Sequence, residues 1–295
     1  MNTKRDSLYT LIFLMFVNSL VKLVTAAKPN FVVIMADDLG PGEVNQQNLT
    51  YGFMLDGETP NPDRILNTPH LEQLAKESTL YAHTWGATVC APSRTSLFTG
   101  IIPPLSNVRG NADADKGAIR LNKLTLPQAM QRLGYVTVIS EKYGLGRSAT
   151  NSSALRMGFN QSLIFETHVD AHDPFPLNLK RNGVAVSYKQ NSVVSRAKCL
   201  KPNACVSSED ASLEFTLQMI SNYAQQKTPF IIFDMPIFPH LGIYHPKHRM
   251  TSPVNSYEGL PGRWNVDDKG HGAMVIKLDK RVGAIQQRLT SLNIS

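Results

Sequence analysis

A cysteine, a proline and an arginine stand close together in residues 90–100, and their spacing suits chemistry on an anion. Pro92 is a residue type that opens helices. The free N–H groups and the positive dipole end of such a helix would face an anion bound beside residue 90. Arg94 on the same turn can brace residue 90 and donate hydrogen bonds from a fixed charge. Cys90 is thus a candidate catalytic residue, and the structural alternative is a small buried apolar side chain.

Four further polar residues come where predicted strands end. Asp37 and Asp38 follow a buried apolar run, Lys142 comes just after a second strand, and His240 just after a third. Ligands of parallel sheets collect at the carboxyl ends of strands, so we expect these segments to converge on one crevice. The hard oxygens of an aspartate pair suit a divalent cation, although such a pair also caps turns in many proteins.

Predicted strands and helices alternate along the chain, which defines the fold class. One helix begins at Pro69 with Thr68 as its N-cap, and a capping box at Thr125 begins another that stops at Gly134. We predict strands over residues 30–36, 79–85, 135–140 and 230–238, and further helices over 213–223 and 274–289. This order predicts a three-layer α/β/α fold with a mostly parallel central sheet.

The segment 90–100 resembles the signature of the sulfatases, Cys-x-Pro-Ser-Arg followed after a short gap by Thr-Gly. Asp37-Asp38 is similar to the family's first acidic pair, and Glu141 to Gly146 resembles its segment Gly-Lys-Trp-His-Leu-Gly. The strand that leads to Pro239-His240 also resembles a family segment. The resemblance implies an alkaline-phosphatase-like fold and spans residues 30 to about 292.

The resemblance implies a sulfuric ester hydrolase of the arylsulfatase type. The formylglycine-generating enzyme would oxidise Cys90 during secretion to formylglycine, an aldehyde whose hydrate attacks sulfur. Asp37, Asp38 and residue 90 would hold a divalent cation, usually calcium, which favours the ionised hydroxyl and offsets the charge of the sulfate. Lys142 would contact the sulfate, and His240 would protonate the leaving alcohol.

Two departures from the family pattern motivate an alternative function. Gly144 stands where the family segment has a histidine, and the family's second metal pair, on a later strand, has no counterpart before Ser295. We therefore expect residues 28–295 to be the N-terminal part of a sulfatase catalytic domain. The alternative is a catalytically impaired or truncated secreted protein that binds sulfated glycans or a partner. A related phosphoesterase would be expected to carry Ser or Thr in place of Cys90.

The N-terminus predicts entry into the secretory pathway. Residues 1–27 combine two basic residues, an apolar run and a small-residue end, as in a cleaved signal peptide, with a signal anchor as the alternative. Cys199 and Cys205 are close enough in sequence to form a disulfide, which leaves Cys90 as the odd cysteine. Four glycosylation sequons begin at Asn48, Asn151, Asn160 and Asn293. We expect a glycoprotein that is extracellular or lysosomal.

Composition excludes several other classes of protein. With 42% apolar and 18% charged residues among 295, the chain is neither disordered nor collagen-like nor a coiled coil. The net charge of +7 is spread without a block of like charges, which favours an anionic substrate over nucleic acid. Aryl sulfates, sulfated glycans and sulfolipids all fit. No segment after the signal predicts a membrane span.

Overall fold

A six-stranded mixed sheet forms the centre of the molecule. The computed structural model describes residues 28–40, 43–44, 66–81, 83–117, 119, 124–191, 199, 204–240 and 266–294. The strands are β1 (Phe31–Ile34), β2 (Val136–Lys142), β3 (Gln161–Phe165), β4 (Asn178–Arg181), β5 (Val184–Ser187) and β6 (Phe230–Met235). Their spatial order is β1-β6-β2-β3-β4-β5, with the first four parallel and the last two antiparallel to their neighbours.

Helices cover both faces of this sheet. They are α1 (Pro69–Lys76), α2 (Cys90–Thr99), α3 (Asn111–Asp115), α4 (Leu126–Arg132), α5 (Ser208–Gln225) and α6 (Val266–Ser291). Successive residues of β2 alternate between two cores, since Ile139 packs with Phe98 of α2 whereas Val138 packs with Phe215 of α5. Such alternation follows from the two-residue period of a strand. The predicted three-layer α/β/α fold with a mostly parallel sheet is confirmed.

Individual elements agree with the sequence to different degrees. The capping box at Thr125 forms as predicted, because its hydroxyl accepts from the Gln128 amide. Thr68 is the N-cap of α1 but makes no side-chain cap. The predicted strand over residues 79–85 is wrong, since the described residues of this segment are exposed and belong to no strand, with Tyr81 75% and Trp85 87% exposed. Apolar β-forming residues predict a strand only where a sheet is available to pair with them.

A buried ionic cluster ties α5 and α6 to the centre of the sheet. Arg281 of α6 donates to both carboxylate oxygens of Asp234 on β6, at 2.6 Å each, and to Glu209 of α5 at 2.7 Å. Glu141 of β2 lies 3.7 Å from Arg281 and accepts from two serine hydroxyls of α5. Glu141 immediately precedes Lys142, so this cluster anchors the end of the strand that carries Lys142.

Several surface and covalent features concern secretion. Cys199 and Cys205 form the predicted disulfide, and Cys90 is a free thiol. The sequon residues Asn151, Asn160 and Asn293 are exposed, whereas Asn48 and the predicted signal peptide lie outside the described residues. Among the helices of the described residues, none is both long enough and apolar enough to cross a bilayer.

Candidate active site

Three charged side chains meet at the carboxyl ends of β1 and β2. The Asp37 carboxylate accepts a hydrogen bond from the Lys142 ammonium, and its Oδ2 lies 3.7 Å from Nη2 of Arg94. Arg94 also donates through Nη1 to the backbone carbonyl of Lys142. All three are buried. Burial alone would raise the pKa of Asp37, but Arg94 and Lys142 outweigh it and lower that pKa, so the carboxylate is ionised at neutral pH.

Asp38 and His240 form a second, more open pair beside the first. Asp37 forms an isolated parallel β-bridge with Pro239, and its backbone N–H donates to the Phe238 carbonyl at 3.3 Å. This contact brings the loop after β6 to the end of β1. His240 Nε2 consequently lies 3.3 Å from Asp38 Oδ2, and the Asp38 side chain is 67% exposed.

Cys90 is the first residue of α2, one helical turn before Arg94. Residues four apart share a helix face, so the thiol lies on the side of α2 that presents Arg94. Helix α2 begins two residues earlier than Pro92 alone would predict, and residue 90 is therefore part of the first turn. The Asn111 carboxamide oxygen accepts from the Ala91 N–H at 3.1 Å and lies 3.4 Å from Cys90 Sγ.

Among the described residues, several buried polar atoms around this cluster have no hydrogen-bond partner. They include Nε and Nη2 of Arg94 and Nε2 of His172. An unsatisfied buried donor costs about 1–3 kcal/mol, so an anion that reached these atoms would recover that free energy. Together with the positive dipole end of α2, they make an environment suited to a bound anion.

His172, from a short 3₁₀ helix after β3, stacks on the ring of His240. The two ring centroids are 4.4 Å apart and the planes are inclined by 22°. Burial, followed by the neighbouring charges of Lys142 and His240, lowers the pKa of His172 to about 3. The imidazole is therefore neutral at physiological pH.

The sequence matches the sulfatase family over residues 29–263, most of the chain. This chain belongs to the sulfatase family. Its relatives include the steryl-sulfatase of Mus musculus, 32% identical over 148 residues that cover 46% of this chain and 22% of the relative. Human arylsulfatase G is 26% identical over 277 residues, which cover 89% of this chain and 48% of the relative. The chain thus spans about half or less of the length of these relatives.

Solved structures show the same fold. Ps i-CgsB in complex with a neocarrahexaose has a TM-score of 0.64 at 18% identity, over 90% of this chain and 56% of that one. BT4656, in complex with its substrate D-glucosamine-2-N,6-O-disulfate, has a TM-score of 0.59 at 13% identity, over 90% of this chain and 63% of that one. At these identities the likeness concerns the fold.

The donor set for a sulfatase-type cation is partial within the described residues. No group of three or more His, Cys, Asp and Glu side chains arranged to hold a metal is found among them. Asp37 and Asp38 do present adjacent carboxylates, and the chemistry of hard oxygens beside an anion environment fits a divalent cation such as calcium. Lys142 and Arg94 already contact Asp37 Oδ2, so a cation would have to share that carboxylate with two positive groups.

The structure thus brings together Asp37, Arg94 and Lys142 by direct contact, and Asp38 with His240 beside them. Cys90 joins them through its position on α2. Sequence reasoning missed Asn111 and His172. The composition around Asn111 offers no signal for it, because its role depends on α3 packing against α2. For His172 a signal existed in the absence of a histidine at residue 144, which invites a search for another imidazole nearby.

Gly144 has a left-handed backbone conformation, and a substitution there tests how much that conformation matters for stability. Its φ is +66°, a left-handed conformation that costs a residue with a Cβ about 1–2 kcal/mol. An added Cβ would lie 3.7 Å from the backbone of His168, an ordinary contact, so strain alone is at issue. We expect Gly144→Ala to lower the free energy of unfolding by about 1–2 kcal/mol in urea titrations.

The matched control is Gly86→Ala, because that exposed glycine has no left-handed φ and its added Cβ would meet only Ser93 Oγ, at 3.6 Å. We expect Gly86→Ala to change the free energy of unfolding by less than about 0.5 kcal/mol. Equal losses in the two variants would contradict the assignment of strain to residue 144.

Proposed function

We propose that this chain carries the site of a sulfuric ester hydrolase of the arylsulfatase type. The observation that supports it most is the buried cluster of Asp37, Arg94 and Lys142, with Cys90 one helical turn before Arg94. Two buried cations against one carboxylate leave a net positive charge where α2 begins. That charge and the unsatisfied Arg94 donors suit a sulfate group.

The charged residues of the site have separate roles in binding the sulfate and a cation. Arg94 and Lys142 bind the sulfate oxygens and offset charge that develops on them. Asp37 holds both cations in place, and Asp37 and Asp38 with residue 90 would hold a divalent cation, with calcium the natural choice for carboxylate oxygens. When bound, that cation supplies Lewis acidity toward the sulfate and favours an ionised hydroxyl at residue 90.

Residue 90 and His240 act on opposite sides of the sulfur. Formylglycine made from Cys90 supplies, as its hydrate, one hydroxyl that attacks sulfur and a second whose deprotonation allows sulfate to leave. Asn111 holds the backbone of the first turn, because its carbonyl oxygen accepts from Ala91 N–H. His240 protonates the departing alcohol oxygen, and Asp38 at 3.3 Å orients its imidazole.

The substrate class and cellular route follow from the same proposal. Two structural neighbours were solved with a neocarrahexaose and with a glucosamine disulfate, which supports a sulfated sugar as substrate, while aryl sulfates and sulfolipids also carry the required group. The predicted signal peptide and the disulfide support secretion or lysosomal delivery. The formylglycine-generating enzyme is the partner that this route requires.

The decisive experiment examines residue 90 chemically. We expect mass spectrometry of the chain secreted from eukaryotic cells to find an aldehyde in the peptide that contains residue 90. We also expect the same preparation to hydrolyse 4-nitrophenyl sulfate faster than 4-nitrophenyl phosphate, with loss of activity after chelation of divalent cations. An unmodified thiol after secretion would contradict the formylglycine proposal, and sulfate binding without turnover would favour a glycan-binding protein, for which Gly144 is the motivating departure.

A further inference from the structure

His172 is a buried imidazole that the roles described so far do not use. It is 8% exposed, and within the part of the chain that the structure describes its Nε2 has no hydrogen-bond partner. The charges of Lys142 and Asp37 act on the ring, which places His172 near the charged cluster. Its face stacks on His240 with centroids 4.4 Å apart. A buried polar atom without a hydrogen-bond partner is unusual in a native protein, and here it lies beside a site suited to an anion, so packing alone does not explain it.

The segment that carries His172 also passes the backbone at Gly144. An added Cβ at residue 144 would lie 3.7 Å from the Cα of His168. The His168 ring in turn contacts His172 edge to face, with centroids 6.1 Å apart and planes inclined by 82°. Residues 168–172 therefore occupy the space next to the position where the sulfatase segment has its histidine and this chain has none.

We propose that His172 is a substrate-contacting residue, whose Nε2–H donates a hydrogen bond to an oxygen of the bound sulfate group. This inference rests on the proposed function, since it assumes a sulfate ester between Lys142 and His240. A sulfate oxygen only accepts, so the contact requires the tautomer protonated on Nε2. Because the imidazole is neutral, it adds a donor without adding a third cation to a pocket that already holds Arg94 and Lys142.

The test separates the Nε2–H donor from the ring. His172→Phe keeps an aromatic ring to stack on His240 but has no donor, whereas His172→Gln places an amide N–H near the position of Nε2. Using inorganic sulfate as the probe and titration calorimetry on the secreted chain, we expect His172→Phe to weaken sulfate binding at least about 10-fold. We expect His172→Gln to bind within about 3-fold of wild type, and melting temperatures to show that both variants fold.

His83→Phe is the matched control, because His83 is exposed and the same substitution there removes an imidazole outside the described site. Unchanged sulfate binding in His172→Phe, with weakened binding in His172→Ala, would overturn the proposal and assign His172 to packing alone. That result would leave the proposed function standing, because aldehyde formation at residue 90 is measured separately. A wild-type chain that carries the aldehyde but binds no sulfate would overturn both.

Discussion

Cys90→Ala is expected to abolish sulfate ester hydrolysis, with a loss on the order of 10⁴-fold or more, because it removes the side chain from which the proposed nucleophile is made. Arg94 and Lys142, the proposed sulfate ligands, remain in this variant, so sulfate affinity should change far less than turnover. The measurement is steady-state hydrolysis of 4-nitrophenyl sulfate, with inorganic sulfate titrated into the same preparations. A selective loss of turnover is the signature of an interaction made during reaction rather than in binding alone.

Stability provides the control for that variant. Cys90 is only half-buried, and its thiol donates one hydrogen bond among the described residues, to Asn111 Oδ1 at 3.4 Å, so its truncation should leave the melting temperature nearly unchanged. Leu105→Ala, at a 77% exposed position, is the matched truncation that should preserve activity. Equal hydrolysis by wild type and Cys90→Ala would sink the enzymatic proposal.

Elements with strong local signals were predictable from the sequence. The β6 segment is apolar enough to be a doubly buried strand, and the pair Thr125 and Gln128 predicts its capping box from spacing alone. The antiparallel strands β4 and β5 at one side of the sheet were not predicted, because they are short, contain polar residues, and pair only with β3 and with each other among the described residues. The segment 79–85 shows the opposite error, since its β-forming residues have no sheet to join.

The candidate site was predictable where it lies at strand ends and in the 90–100 segment. Lys142 contacts Asp37, 105 residues away, because β1 and β2 both pair in parallel with β6 and so end at the same edge of the sheet. The sequence does not show this order of strands. Asn111 and His172 come from short helical segments whose placement depends on tertiary packing. Asp234 in the middle of β6 had no explanation from sequence, because its partner Arg281 comes from α6 after a long intervening segment.

The buried cluster around Arg281 holds three carboxyl groups against one guanidinium. Burial would raise the pKa of Asp234, but the two hydrogen bonds and the charge of Arg281 outweigh it and lower that pKa. Burial, followed by repulsion from Glu209, raises the pKa of Glu141 well above its usual range. Arg281 therefore favours the charged form of Asp234, whereas burial disfavours the charged form of Glu141, and replacing each carboxyl by its amide should have opposite consequences.

Asp234→Asn is expected to lower the free energy of unfolding by about 3–5 kcal/mol at pH 7, because it removes a buried charge partner of Arg281. Glu141→Gln is expected to leave it unchanged or to raise it at pH 7, because the amide has no charge to bury. The Gln carbonyl can accept from the Ser208 hydroxyl as Glu141 does, and its amide can donate to the oxygen of the Ser212 hydroxyl, which donates to Glu141 in the wild type. Urea denaturation of the disulfide-intact chain measures both free energies, and each variant is the isosteric control for the other.

The two variants should also differ in how their stability depends on pH, and the two dependences should have opposite signs. Because the pKa of Asp234 is lowered, its carboxylate stabilises the fold at pH values above 3.8, the ordinary pKa of an aspartate. The loss of unfolding free energy in Asp234→Asn should therefore be complete at neutral pH and become smaller as the pH falls below 3.8. The raised pKa of Glu141 stabilises the fold below 4.5, and this is lost as the pH rises toward the folded pKa. The stability of Glu141→Gln relative to wild type should therefore rise as the pH increases above 4.5, and parallel pH profiles for the two variants would contradict the opposite directions of the two pKa shifts.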